Sequence, residues 1–445
     1  MYKSFGTGKT AIIPSHKQLP MDMPICQSDY PLDFYSEEFL PYAEEYQALP
    51  DRTLTTILPW MESYIKPAIA HFGDSLLLLA HYYMGGEIVK LVEHFGGEVG
   101  DSYQLALKAM QHPEKKIIVE SAVHFMAESI SILANDDQHV YITNPKAGCT
   151  MEMHAKEYMV EPAVTQLNAR YGRDNIIPIC YMNTSARIKA LVGSGGGAVC
   201  TSANVQKIFA WALKRHKKIL FIPDRHMGEN AARWVGISRD KIAYWPGGIM
   251  GSQFQLEMNQ PDVFDQAQLI LFCSECTVHA HYSSAMIEYW KSRGYHTVTH
   301  PECRYETVLS ADSCGSTAFI FNQVLQDKAF TQKYAVGTEN HMVQNLKVLG
   351  AQKGITVVNL GEAVIEGLSG RGCGCATMSR NDPPHLVALL DLLMKGKSVE
   401  KNEVKAGDIV DEFSGVRTRL DVAGQNWTRH NARLALEKMI EITES

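Results

Sequence analysis

Cys373 and Cys375 stand one glycine apart in GRGCGCATMSRN, residues 370–381. That spacing is awkward for a disulfide and too tight for both thiols to serve one metal ion easily. The partners of either thiol must therefore come from elsewhere in the chain. Cys149 in PKAGCTMEM and Cys276 in FCSECTVHAHY are the candidates. Three thiolates from distant segments could hold an iron–sulfur cluster, and three rather than four would leave one iron open, as a catalytic metal site requires. On the residues alone, the third thiol is Cys373 or Cys375. Zinc is the competing use: Cys273 and Cys276 form a C-x-x-C with His279, His281, His300 and Cys303 nearby, but no second C-x-x-C appears. A redox dithiol is weaker still, because no thioredoxin-like helix start follows. Cys26, Cys180, Cys200 and Cys314 are expected to act as small apolar packing groups or to lie just behind the site.

A second set of residues suits acid–base work. His81 and Tyr83, Tyr181 and Asn183, and His300 and Glu302 each follow a short apolar run at a spacing of two. Small hydroxyl residues come next in each case: Ser102, then Thr201 and Ser202, then Ser316 and Thr317. Taken singly, a Ser or Thr after a strand is most often a helix cap. A lone strand-end His is structural about as often as not. Three equivalent groups of His, Tyr, Asn and Glu are not what capping alone would produce.

The elements that must position these groups form a repeat. LLLLAHYYMGGEIVKLVEHFGGEVGDS (76–102), IIPICYMNTSARIKALVGSGGGAVCTS (176–202) and HTVTHPECRYETVLSADSCGST (296–317) each read as strand, helix, strand. In the first copy Ile88, Leu91, Val92 and Phe95 form one helical face, stopped by Gly96 and Gly97. Ile188, Leu191 and Val192 do the same in the second. Such units have parallel strands and right-handed crossovers. Further strands are expected in HVYITNPKAGC, KKILFIPDRH, QLILFCSEC, YAVGTEN and ITVVNL. The expected fold is α/β: three similar layered domains with small parallel sheets, related by a pseudo-threefold axis around a central site beyond the carboxyl ends of the strands. The divisions are an N-terminal extension over 1–58, then domains over 59–160, 161–276 and 277–395. The tail, 396–445, ends in the amphipathic helix NWTRHNARLALEKMIEI, expected to pack on the first domain.

The totals narrow the class. Among 445 residues, 45% are hydrophobic and 20% charged, which suits a globular protein with a sizeable core. A net charge of −7 argues against a nucleic-acid partner. Ten cysteines in so long a chain do not form a disulfide scaffold. No leader-like apolar segment opens the sequence and no run of about 18 apolar residues occurs, so no membrane association and a cytoplasmic, reducing location are expected. GTGKT at 6–10 lacks the first glycine of a phosphate loop, since Lys3 stands there.

Many ordered segments together resemble the quinolinate synthase family, over about residues 60–395. They are AHYY with GDS, FMAESI followed by AGC, YMNTSARIKA with CTSAN, FIPDRHMGEN, CTVHAHY, THPEC, CGST, GTEN and CATMSRNDPPHL. The resemblance implies a [4Fe–4S] cluster held by Cys149, Cys276 and Cys375, with Cys373 a neighbour. Some relatives carry a C-x-x-C upstream of this last ligand; the chain departs from them with C-G-C.

The resemblance also implies a reaction. Iminoaspartate and dihydroxyacetone phosphate condense to quinolinate, with loss of phosphate and two waters, in the route to NAD. It further implies a functional link to an aspartate oxidase, dependence on iron–sulfur assembly machinery, and room for a homodimer. Ser102, Ser202, Ser316, Thr317 and Asn183 would hold the anionic groups. His300 and Glu302 would form the acid–base pair, His81 and Tyr83 would serve the triose and its isomerisation, and Tyr181 would touch substrate. The open iron would act as a Lewis acid. The alternatives are an iron–sulfur hydro-lyase acting on a small hydroxy acid, and a cluster-bearing sensor without activity.

Overall fold

The computed structural model describes residues 30–325, 331–365, 370, 372–411 and 414–445. GTGKT, Cys26 and the first half of the N-terminal extension lie outside the described residues. The protein is α/β, built on three small parallel sheets. The first holds β1 (Leu76–His81), β2 (Glu98–Gly100), β3 (Ile117–Ser121) and β4 (His139–Ile142). The second holds β5 (Ile176–Tyr181), β6 (Ala198–Cys200), β7 (Lys218–Ile222), β8 (Ile242–Pro246) and β9 (Leu269–Cys273). The third holds β10 (His296–Thr299), β11 (Ser313–Cys314), β12 (Lys333–Gly337) and β13 (Thr356–Asn359).

Their orders repeat: β2-β1-β3-β4, β6-β5-β7-β9-β8 and β11-β10-β12-β13. In each sheet the chain first steps to one side of the opening strand and then crosses to the other. The opening strand therefore borders the switch point where ligands of open parallel sheets lie. LLLLAH and IIPICY are buried along their whole length, as strands covered on both faces should be.

Paired glycines set the return to the second strand. Gly96 and Gly196 have φ of +81° and +71°, conformations that side chains disfavour. The next residues cannot carry a side chain. A Cβ on Gly97 would stand 2.5 Å from the Leu78 carbonyl oxygen, and one on Gly197 would stand 1.8 Å from that of Pro178.

The tail departs from expectation. Residues 402–404 join the edge of the first sheet, where Val404 N–H donates to Val140 O and Asn402 Nδ2 donates to the Ile142 and Thr143 carbonyls. The long helix Val422–Glu444 instead lies chiefly on helix Ala186–Ser194 and β6 of the second sheet layer. Gly193 explains the seat: a Cβ there would stand 1.9 Å from the Asn431 carbonyl oxygen, so the two backbones touch. Asn204 Nδ2 and Lys207 Nζ then hold the far end at Thr443. An amphipathic stripe shows that a helix must pack, not on what.

One strand carries a cost. Glu120 in β3 is fully buried, and neither carboxylate oxygen has a hydrogen-bond partner among the described residues. Burial raises its pKa to about 8. Between its unfolded value and 8 the folded state holds the extra proton. Stability should therefore fall by about 1.4 kcal/mol per pH unit across that window and level off above it. Chemical denaturation from pH 5 to 9, compared with Glu120→Gln, checks this: the variant should lose the slope.

Candidate active site

The carboxyl ends of β1, β5 and β10 open onto one cavity. Each opening strand ends in the same kind of turn. In the first, His81 Nδ1 accepts the Tyr83 amide at 3.1 Å; in the third, His300 Nδ1 accepts the Glu302 amide at 3.4 Å. The second has Tyr181 and Asn183 at the matching places. Because each Nδ1 accepts, the proton of each neutral ring is assigned to Nε2. Both rings are neutral near pH 7. Burial lowers the pKa of each to about 3, helped at His300 by the charge of His279.

Glu302 lies at the centre of the polar wall. It is 3% exposed. Its Oε1 accepts the Tyr181 hydroxyl at 2.6 Å, and its Oε2 is 2.9 Å from His279 Nδ1. Burial pushes the carboxyl up, but the charge and hydrogen bond of His279, with His300 and Tyr181, outweigh it and leave Glu302 ionised. The His279 ring stacks on that of His300, with centroids 4.5 Å apart. The Tyr83 hydroxyl lies 3.2 Å from Thr317 Oγ1 and 3.1 Å from Thr338 Oγ1, the atom that His279 Nε2 also meets at 3.0 Å. Burial raises both tyrosine hydroxyls, so each remains a proton donor.

The hydroxyl residues sit where helices begin. Ser102 opens helix Ser102–Gln111 behind an Asp101–Gln104 capping box, Thr201 and Ser202 precede helix Val205–Leu213, and Thr317 opens helix Thr317–Leu325. All four line the cavity. No lysine or arginine does so among the described residues. An anion bound here must rely on hydroxyls, amides and helix N-termini. Ser316 is not on the wall: its Oγ accepts the Phe319 amide at 3.2 Å, and it caps the helix instead.

Cys149, Cys276 and Cys375 all line the same cavity, one contributed after each sheet. Each thiol is followed by a single helical turn: Thr150–Met153, Thr277–Ala280 and Met378–Arg380. Amides of those turns point at the sulfurs, from Glu152 and Met151 to Cys149, from His279 to Cys276, and from Met378 and Thr377 to Cys375. Burial raises the pKa of all three thiols; Cys375 adds to the rise at Cys149, and Cys149 and Cys375 add to the rise at Cys276.

This donor set fits an iron–sulfur cluster. Three convergent soft ligands with N–H groups aimed at sulfur are what such a cluster needs. Among the described residues, Cys276, His279 and Glu302 lie within 4.8 Å of one another, as do His124, Glu128 and Glu152. The three thiols do not gather within that distance of one another, as ligands of a single small ion would. Of the zinc ligands suggested by the sequence, Cys276 and His279 gather, together with Glu302, but Cys273 and Cys303 do not join them. Cys273 Sγ donates to Leu271 O, and Cys303 Sγ donates to Gly337 O within a separate apolar cluster.

Glu339 and Asp101 line the cavity without having been singled out as site residues, whereas the sequence marks His279 only as a candidate zinc ligand and Thr201 only as a hydroxyl after a strand. His279 had a signal: it stands three residues after Cys276, on the same helical turn. Its Nδ1 lies 3.2 Å from Cys276 Sγ.

Comparison with known proteins agrees with this arrangement. Residues 67–441 match the family model described as Quinolinate synthetase A protein. The chain is 35% identical over 402 residues to the quinolinate synthase of Acidobacterium capsulatum, covering 90% of this chain and 95% of that one. It is 36% identical over 355 residues to that of Geobacillus kaustophilus, covering 79% and 91%. It is 34% identical over 411 residues to that of Corynebacterium glutamicum, covering 91% of each. With three sheets feeding one thiol-lined cavity and likeness along nearly the whole described chain, the protein belongs to the quinolinate synthetase A protein family.

Proposed function

We infer that the chain is a quinolinate synthase of NAD biosynthesis that condenses iminoaspartate with dihydroxyacetone phosphate. The observation that carries this reading is a single cavity holding three thiols and an ionised glutamate, with no lysine or arginine on its wall among the described residues. Cys149, Cys276 and Cys375 would hold a [4Fe–4S] cluster. When bound, the cluster supplies a Lewis-acidic iron for a substrate oxygen.

The chain's own residues do the rest. Ser102, Ser202 and Thr317, at or just before the starts of three helices, receive the phosphate and carboxylates. Asn183 lies beside Cys149, with its Nδ2 4.0 Å from the sulfur, and orients the neighbouring end of a substrate. Holding two small reactants together recovers several kcal/mol of the barrier, up to about 7–11 in the best-oriented cases. Glu302 removes a proton from the bound triose-derived carbon. The Tyr181 hydroxyl, already bonded to that carboxylate, can donate one back. The Nε2–H groups of His81 and His300 donate to carbonyl or hydroxyl oxygens as the two waters leave, and Tyr83 lies on the triose side. Residues 59–160, 161–276 and 277–395 act as the three domains that close on this cavity.

Among the described residues no helix is long and apolar enough to cross a membrane. The imine would come from an aspartate-oxidising enzyme, and the iron from the cell's cluster-assembly proteins. The test is an anaerobic assay of purified protein. Quinolinate should form only when iminoaspartate and dihydroxyacetone phosphate are both present, with one phosphate released per product. Dehydration of a hydroxy acid in the absence of the triose phosphate would favour the hydro-lyase instead.

A further inference from the structure

Cys375 reaches the cavity differently from the other two thiols. Cys276 follows β9 directly, and Cys149 follows β4 after a short turn. Cys375 comes long after β13 ends at Asn359, and among the described residues between them no strand sets its approach. Its far side is fixed, since Asn381 Nδ2 donates to the Ala122 carbonyl and Thr143 Oγ1 donates to Asn381 Oδ1. Its near side is fixed by the start of helix Asn340–Ala351.

Glu339 makes that second attachment with both carboxylate oxygens. It is 1% exposed and caps the helix, Oε2 accepting the amides of His341 at 2.7 Å and Met342 at 3.2 Å. Oε1 accepts the Cys375 amide at 3.0 Å and faces His341 Nδ1 at 2.8 Å. The neighbouring Asn340 amide donates to the Cys373 carbonyl at 3.1 Å. Gly372 lies so near that a Cβ on it would stand 2.2 Å from Asn340 Oδ1. One carboxylate thus ties the thiol-bearing loop to a helix start.

We propose that Glu339 is the positioning residue for the third thiol, one oxygen holding the Cys375 backbone while the other caps the helix. This rests on Cys375 being a ligand of the cluster. The two duties separate by side-chain length. Aspartate is a strong cap but is one methylene too short to reach Cys375 as well. Glutamine keeps the length but offers one acceptor where two sets of N–H donors need one each.

The experiment compares wild type, Glu339→Asp and Glu339→Gln. In iron-free protein, alkylation by iodoacetamide is followed at each cysteine by mass spectrometry. In the reconstituted protein, anaerobic iron release to a chelator and the EPR line shape of the reduced state are recorded. Glu339→Asp should unfold at the wild-type temperature, label Cys375 at least tenfold faster with Cys149 and Cys276 within twofold, release iron at least tenfold faster, and show an altered line shape. If the Asp variant does not fold, the Gln variant is judged on the same readouts. A Cys375 labelling rate that stays in proportion to the other two overturns the assignment, whatever the iron does. If wild type takes up no iron, the cluster reading fails, and the labelling arm still decides the role of Glu339.

Discussion

Glu302→Gln should leave a folded, iron-loaded protein whose turnover is slower by about 10²–10⁴-fold, the range that a positioned general base contributes. Glutamine keeps the shape and can still accept the Tyr181 hydroxyl, but it cannot take a proton. It also leaves the buried His279 without its anion, 2.9 Å away in the wild type. Stability should drop by about 1–3 kcal/mol, the penalty for a buried polar group deprived of its partner. Because the folded carboxyl titrates below its unfolded value, the wild type keeps this contribution above the ordinary carboxylate range. It loses it only as pH falls through the folded value. Steady-state rates together with iron content and a denaturation curve separate the effects. A variant with normal iron and more than half the wild-type turnover would sink the general-base role.

The thiols give the second large effect. Cys149→Ala, Cys276→Ala and Cys375→Ala should each lose the cluster and with it all measurable synthesis of quinolinate. Removing one of three ligands leaves two irons at most attached to the protein. Cys373→Ala should keep both. Cys373 does not line the cavity, and its link to helix Asn340–Ala351 runs through its carbonyl oxygen, which alanine retains. Iron and sulfide counts on anaerobically purified protein decide the matter. Iron at wild-type level in any of the first three, or its loss from Cys373→Ala, would contradict the ligand set.

Much of this architecture is legible in the residues because the opening strands are continuous apolar runs ending in polar pairs. LLLLAH, IIPICY and HTVT end at His81, Tyr181 and just before His300. Other strands do not stand out. IIVES in β3 carries the buried Glu120, so its pattern breaks where a core strand should be apolar. IAYWP in β8 is an edge strand with Tyr244 exposed and a proline at its end. His279 could be seen only beside Cys276; its contacts with Glu302 and Thr338 depend on how separate layers meet. Ser316 and Thr317 are adjacent and chemically alike, yet only one faces the cavity, because a helix start turns successive side chains apart.

Each layer supplies one sulfur, in the order of the chain, and the last comes from the final fifth of the polypeptide. On the proposed ligand set, a growing chain owns no complete nest for iron until Cys375 has been made and the three layers have docked. The metal would then be handed to a chain that already carries all three layers rather than to one still making its third. A prematurely terminated product lacking that last sulfur would bind none of it tightly, however well its first two layers folded.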